Sequence, residues 1–155
     1  MKRSLVVMLG LAAILAGTAA AKGPTRAAIT GPGVARAIVL NGNPEGNVSS
    51  RFGQLVEQTG WFAQVFRQTP DSTSRVRPRG ALGPRYDAVY LVPEGNGNTR
   101  TIRQELYPFA AAGPVTHLQA GQPIFGMTTH GGWYRSSVAL RRTLVSLGLP
   151  AKAPA

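Results

Sequence analysis

Residues 86–92 (YDAVYLV) alternate along their length: Tyr86, Ala88, Tyr90 and Val92 point one way, Asp87, Val89 and Leu91 the other. A period of two is the mark of a strand with one buried face. Pro93-Glu94-Gly95-Asn96-Gly97-Asn98 follows, a run of turn residues, and 99–107 (TRTIRQELY) can return as the partner strand. Ile102, Leu106 and Phe109 also fit helical spacing, so a helix is the alternative for 99–107; the glycine turn favours the hairpin. An isolated hairpin is barely stable in water, so its apolar face demands further strands and a covering layer.

The rest of the chain supplies both. Residues 34–40 (VARAIVL) read as a strand closed by Asn41-Gly42-Asn43-Pro44. A helix is expected over 50–59, capped by Ser49 or Ser50, with Phe52, Leu55, Val56 and Thr59 on one face and Gly60 at its end. Residues 61–67 (WFAQVFR) are rich in aromatic and β-branched types and read as a strand. The stretch 68–84 is loop, with three prolines and the basic cluster Arg75, Arg77 and Arg79. Residues 115–120 read as a short strand and 123–129 as a further extended piece. Gly131 and Gly132 suit a strand-to-helix bend that packs Trp133 or Tyr134 on the sheet. The last helix opens after Ser136 or Ser137, aligns Val138, Leu140, Leu144, Val145 and Leu147, turns Arg141 and Arg142 to solvent, and stops at Gly148 and Pro150. The expected architecture is a single two-layer α+β domain over 34–150, with a mostly antiparallel sheet of about four to five strands and two helices. Residues 22–33 read as a flexible lead-in and 151–155 as a disordered tail.

The N-terminus carries an export signal. Lys2 and Arg3 precede the uncharged apolar run 5–16, and Ala19-Ala20-Ala21 places small residues at a cleavage point after Ala21. The apolar run is too short to cross about 30 Å of hydrocarbon. The expected location is therefore secreted, extracellular, with a mature chain beginning at Lys22. Losing Lys2 and Arg3 takes the formal charge from +11 to +9. Of the 17 basic residues 14 are arginine, which the Ala-, Gly- and Pro-rich composition of a GC-rich genome explains in part. The remaining candidates are an anionic cell-wall polymer or lipid headgroups, with another secreted protein as a further partner class. Export argues against nucleic acid. The chain has no cysteine, so disulfides, thiolate metal sites and thiol nucleophiles are out.

Catalytic patterns are sparse. His117 and His130 lie thirteen apart with no acid between them, which is not metal-ligand spacing. The His130-Gly131-Gly132 run lacks the G-x-S-x-G elbow that would make it an oxyanion-hole segment, and no phosphate loop occurs. Asp87, Glu94 and Glu105 are expected to form ion pairs with Arg85, Arg100 and Arg103. No catalytic, cofactor-binding or metal-binding residue is assigned. Arg75, Arg77, Arg79, His130, Trp133 and Tyr134 are the candidate binding residues: tryptophan or tyrosine beside arginine stacks on sugars or sits at a lipid interface. The reading is a secreted non-enzymatic domain that binds the cell envelope through basic and aromatic loops. Two alternatives stand beside it: a small hydrolase using His130 or His117 with Asp87 or Glu105, and a regulator or inhibitor of another exported protein, docked at the edge of 86–92.

Residues 82–86 (LGPRY), 102–108 (IRQELYP), 121–123 (GQP), 131–134 (GGWY) and 147–150 (LGLP), with an upstream GPG at 31–33, resemble a group of small, uncharacterised secreted proteins of actinobacteria. The resemblance covers most of the mature chain. It implies secretion and a single-domain architecture, and transfers no site residue. Protein recovered from culture medium is expected to begin at Lys22 when its N-terminus is sequenced; an intact leader on secreted chains would contradict cleavage.

Overall fold

A computed structural model describes residues 23–42, 50–95 and 97–154. The export segment expected over 1–21 and the alternative cap Ser49 lie outside the described residues. In chain order the elements are β1 (Arg26–Thr30), β2 (Ile38–Asn41), α1 (Arg51–Gln58), α2 (Trp61–Val65), β3 (Thr73–Ser74), β4 (Tyr86–Pro93), β5 (Thr99–Tyr107), β6 (Val115–Leu118), β7 (Pro123–Ile124), β8 (Met127–Thr128), β9 (Gly132–Arg135) and α3 (Val138–Leu147).

The β4–β5 hairpin forms as the alternation requires, with Asp87 opposite Glu105 and Tyr90 opposite Ile102. Residues 99–107 are strand, because pairing on both sides satisfies the backbone along its inner half. Around the hairpin runs one antiparallel sheet in the order β2-β1-β4-β5-β6-β9-β3, while β7 and β8 make a separate two-stranded ribbon. The class is α+β with a mostly antiparallel sheet, but among the described residues the main sheet has seven strands, not four to five, and there are three helices, not two.

The extra elements came from segments whose local signal was weak. Residues 22–33, expected as a lead-in, contain β1, a strand held between β2 and β4 with only Ala27 and Ile29 facing inward. Residues 34–37 of the expected strand are irregular, and β2 begins at Ile38. Gly132, Trp133 and Tyr134 belong to strand β9 and not to a strand-to-helix bend, and only Gly131 stays outside it, at φ 76°. The extended piece at 123–129 folds back on itself as β7 and β8, turning at Phe125 and Gly126, both with positive φ. Residues 151–154 are placed, not trailing: Arg141 donates to the Ala151 carbonyl at 3.3 Å and Pro154 approaches Gly33.

The largest departure is at 61–67. Aromatic and β-branched composition favoured a strand, but 61–65 is helix α2. The chain turns at Gly60, in the left-handed region at φ 67°, where a Cβ would sit 2.4 Å from the Tyr134 ring. The Gln64 amide N–H then bonds back to the Gly60 carbonyl. Burial of Trp61, Ala63, Gln64 and Val65 decides the outcome, since packing overrides weak propensity.

Helix α1 starts at Ser50, whose hydroxyl accepts from the Gly53 N–H at 3.0 Å, and α3 starts at Ser137 and ends at Gly148. Val138 does not join the buried face of α3; it is 68% exposed, while Leu140 and Leu144 are fully buried. All three helices contribute to one core with Ile29, Tyr86, Tyr90, Ile102, Leu106 and Leu118 from the sheet's inner face. Among the described residues no helix covers the other face, where Leu82 packs with Tyr107 and Val115 and Ala110 and Trp133 lie against them.

A polar network crosses the core. Gln104 of β5 donates to the Thr59 carbonyl at 2.9 Å and to Gln64 Oε1, and accepts from the Tyr90 hydroxyl at 2.9 Å. Gln64 donates to the Gly132 carbonyl at 2.6 Å and to the Thr116 carbonyl at 3.3 Å. The Thr116 hydroxyl lies 2.7 Å from the Thr59 carbonyl and donates to it. Gln64, Gln104, Thr59 and Thr116 are at most 1% exposed, so each bond stands in for lost water. Gln104→Leu orphans several of these groups and is expected to cost about 2–4 kcal/mol, seen as a lower urea midpoint at unchanged slope. Val39→Ser, on the exposed β2 edge, is expected to stay within about 0.5 kcal/mol of the parent.

Candidate functional site

Register places one outward residue from each of six strands in a row across the helix-free face: Thr30, Asp87, Glu105, His117, Trp133 and Ser74. At its centre Glu105 accepts three times. Oε2 lies 3.0 Å from the Tyr107 hydroxyl and 3.1 Å from His117 Nδ1, and Oε1 lies 3.2 Å from the Arg85 guanidinium. Arg85 also reaches Asp87 at 3.4 Å. The His117 ring stacks on Trp133 at 4.4 Å between centroids, and Tyr107 leans on the same indole at 5.7 Å. Burial, reinforced by the Glu105 carboxylate that accepts its proton, pushes the Tyr107 phenol up to about 12.

Next to this row a groove of about 310 Å³ is lined by Asp87, Arg103, Glu105, His117, Gln119 and Gln122. Gln122 forms its far wall by imitating a strand: its side-chain oxygen accepts from the Arg103 N–H and its nitrogen donates to the Arg103 carbonyl, both at 2.8 Å. The β5 backbone is thereby satisfied where β6 has ended.

The arginine loop lies at the end of the sheet. β3 interrupts residues 68–84 and pairs with β9, so Thr73 faces Tyr134 and Ser74 faces Trp133. Arg75 follows at once, and Arg75, Arg77 and Arg79 are all exposed. His130 is brought to the same place: its Nε2 contacts Asp71 Oδ2 at 2.9 Å, while Asp71 Oδ1 accepts from the Thr73 hydroxyl and backbone N–H. Of the six candidate binding residues, Arg75, Trp133 and Tyr134 lie on or beside the β3–β9 pair and His130 is clasped next to it, while Arg77 and Arg79 lie further along the exposed loop. Tyr134 points inward against Gly60 and Trp133 outward beside His117, so only Trp133 belongs to the open face.

Of the expected ion pairs, Arg85 takes Asp87 and Glu105, and Arg100 takes Glu94 at 2.8 Å; Arg103 has no acid partner among the described residues. The edge of 86–92 proposed for docking does not exist, because β4 is interior, between β1 and β5. Tyr107 was one aromatic among several and not a candidate binding residue, and Gln119 and Gln122 drew no functional reading from the sequence. The signal for Tyr107 was available in the hairpin register, which puts positions 105 and 107 on one face; nothing local marks Gln122 as a strand mimic.

Chemically, Glu105 can orient the His117 imidazole as a base is oriented. Among the described residues no serine or threonine hydroxyl hydrogen-bonds to either histidine, and no group of three or more His, Asp or Glu could hold a metal. No helix among them is long and apolar enough to cross a membrane. Comparison with protein-family models, curated proteins and solved structures finds no match to this chain.

The Asp71 clasp sets a pH dependence. Thr73 and then His130 lower the Asp71 carboxyl from 3.8 to about 2. A depressed carboxylate stabilises the fold above its ordinary pKa, and that contribution fades as pH falls through the folded value. In a carbon-13 titration the Asp71 midpoint is expected near 2, moving up towards 3.8 in Thr73→Val; a midpoint already ordinary in the parent would contradict the clasp.

Proposed function

We propose that the protein is a secreted, non-enzymatic domain that binds anionic groups of the cell envelope through the arginine loop at the β3–β9 edge. The observation that carries this reading is where the carboxylates go. Asp71, Asp87, Glu94 and Glu105 are each engaged within the molecule, whereas Arg67, Arg75, Arg77 and Arg79 have no ion-pair partner among the described residues. A run of uncompensated guanidiniums on one loop makes a local positive field, and guanidinium binds phosphate and carboxylate in bidentate fashion. Trp133 stands beside it. The resemblance to secreted actinobacterial proteins agrees with such a location.

A second reading, a small hydrolase using His117 with Glu105, has their 3.1 Å contact in its favour. It has no nucleophile beside the histidine and so depends on an activated water.

The mature chain is expected to sediment with purified cell-wall sacculi at low salt and to be released as ionic strength nears 1 M, where the screening length is about 3 Å. Acid-stripping the anionic polymer, or substituting Arg75, Arg77 and Arg79 together by serine, is expected to abolish retention. Binding to phosphatidylglycerol vesicles but not to sacculi would move the anionic source to lipid. Free recovery from both at low salt would overturn the proposal.

A further inference from the structure

The groove on the helix-free face has a chemistry different from the arginine loop. Its formal charges are matched once Arg85 beside it is counted: Arg85 pairs with the lining acids Asp87 and Glu105, and the lining Arg103 has no acid partner among the described residues. No strong field of either sign is left to select an ion. Its hydrogen-bonding atoms are of both kinds. Asp87 Oδ2 accepts no bond, the Arg103 guanidinium donates none, His117 Nε2 has no partner, and the Gln119 amide offers one acceptor and two donors unused among the described residues. Planar polar groups with unspent donors and acceptors, set around one hollow, match a ligand whose own groups both donate and accept.

The hollow is also built, not incidental. Its floor is β5 and β6, its wall is pinned by the paired bonds of Gln122 to Arg103, and Glu105 holds the His117 ring through Nδ1. Trp133, on the far side of that ring, stacks on it and fixes its plane. A volume of about 310 Å³ is at the small end of ligand sites, enough for one ring-sized unit.

We infer that this groove is a saccharide subsite taking one neutral, hydroxyl-rich sugar unit, with Asp87, Arg103, His117 and Gln119 bonding its hydroxyls and Trp133 backing the His117 ring. A glycerol or ethanolamine headgroup offers too few hydroxyls to use these atoms, and an inorganic anion would meet Asp87 and Glu105. The inference goes beyond envelope binding by charge. The two sites fail separately: the loop's binding is screened by salt, and the groove's, being to a neutral ligand, is not.

The test is a titration of the mature chain with four neutral probes: the tetramers of N-acetylglucosamine, glucose in β-1,4 linkage, galactose and arabinose. Each is raised to about 10 mM, enough to fill a site of millimolar affinity. For at least one probe, the Trp133 indole N–H, the Gln119 side-chain amide and the His117 ring are expected to shift in NMR spectra, while the buried Trp61 indole stays still. Arg103 and Gln119 are exposed, so Arg103→Ala and Gln119→Ala leave the fold intact, as far-field resonances verify. Arg103→Ala is expected to weaken binding about tenfold and Gln119→Ala several-fold. The triple arginine-to-serine variant of the loop should bind the same sugar as the parent, at low and high salt alike. Absence of shifts at these groups with all four probes would overturn the inference. So would shifts that vanish with salt or in the loop variant, which would place the contact on the arginines.

Discussion

The Gln104 carboxamide is the joint on which this molecule turns. It sits in the middle strand of a seven-stranded sheet and holds, on one side chain, the end of α1, the first turn of α2 and the Tyr90 hydroxyl. A helix pair that meets at a left-handed glycine has two orphaned ends to satisfy, and burial forbids water from doing so. Gln64 and Thr116 complete the circuit, reaching β6 and β9. The helical layer is thus fixed in register with the sheet by directional bonds, where apolar packing alone would tolerate sliding. Its position also fixes Tyr134 over Gly60, and with it the seat of β9.

Because the inner face is settled so firmly, the outer face is free to vary in chemistry. Alternation carries every strict inside position to an opposite outside neighbour, and the row from Asp87 to Trp133 is the outer copy of the row from Ala88 to Gly132. A one-residue slip in any strand would empty it.

How much of this was legible depends on whether a segment announced itself locally. The β4–β5 hairpin and helix α3 did: a clean period of two with a glycine turn, and a capped helical stripe ended by Gly148. The cap of α1 did so in part, as Ser49 or Ser50, and Ser50 holds it. β1 did not, for Ala27 and Ile29 are too few to make a pattern, and the strand exists because two neighbours claim its backbone. α2 misled because Trp61, Phe62 and Val65 favour extended chain in isolation, and only Gln64, a polar residue needing buried partners, hinted otherwise. At the site, the residue types were visible and their company was not. His117 with Glu105 was one of four histidine–carboxylate combinations the sequence left open, and only pairing across β5 and β6 selects it, while Asp71, which clasps His130, had drawn no attention at all.

The segment 68–84 is long enough to be mobile, yet it is tied down at intervals: by Asp71 to His130 at its start, by β3 to β9 near its middle, and by Leu82 against Tyr107 and Val115 at its end. Ordering one backbone residue costs roughly 1–2 kcal/mol in lost conformational freedom. Between these moorings the arginines hang from a chain whose entropy was surrendered during folding. Whatever they meet at the surface need not order the loop again, and only the side chains still have freedom to lose.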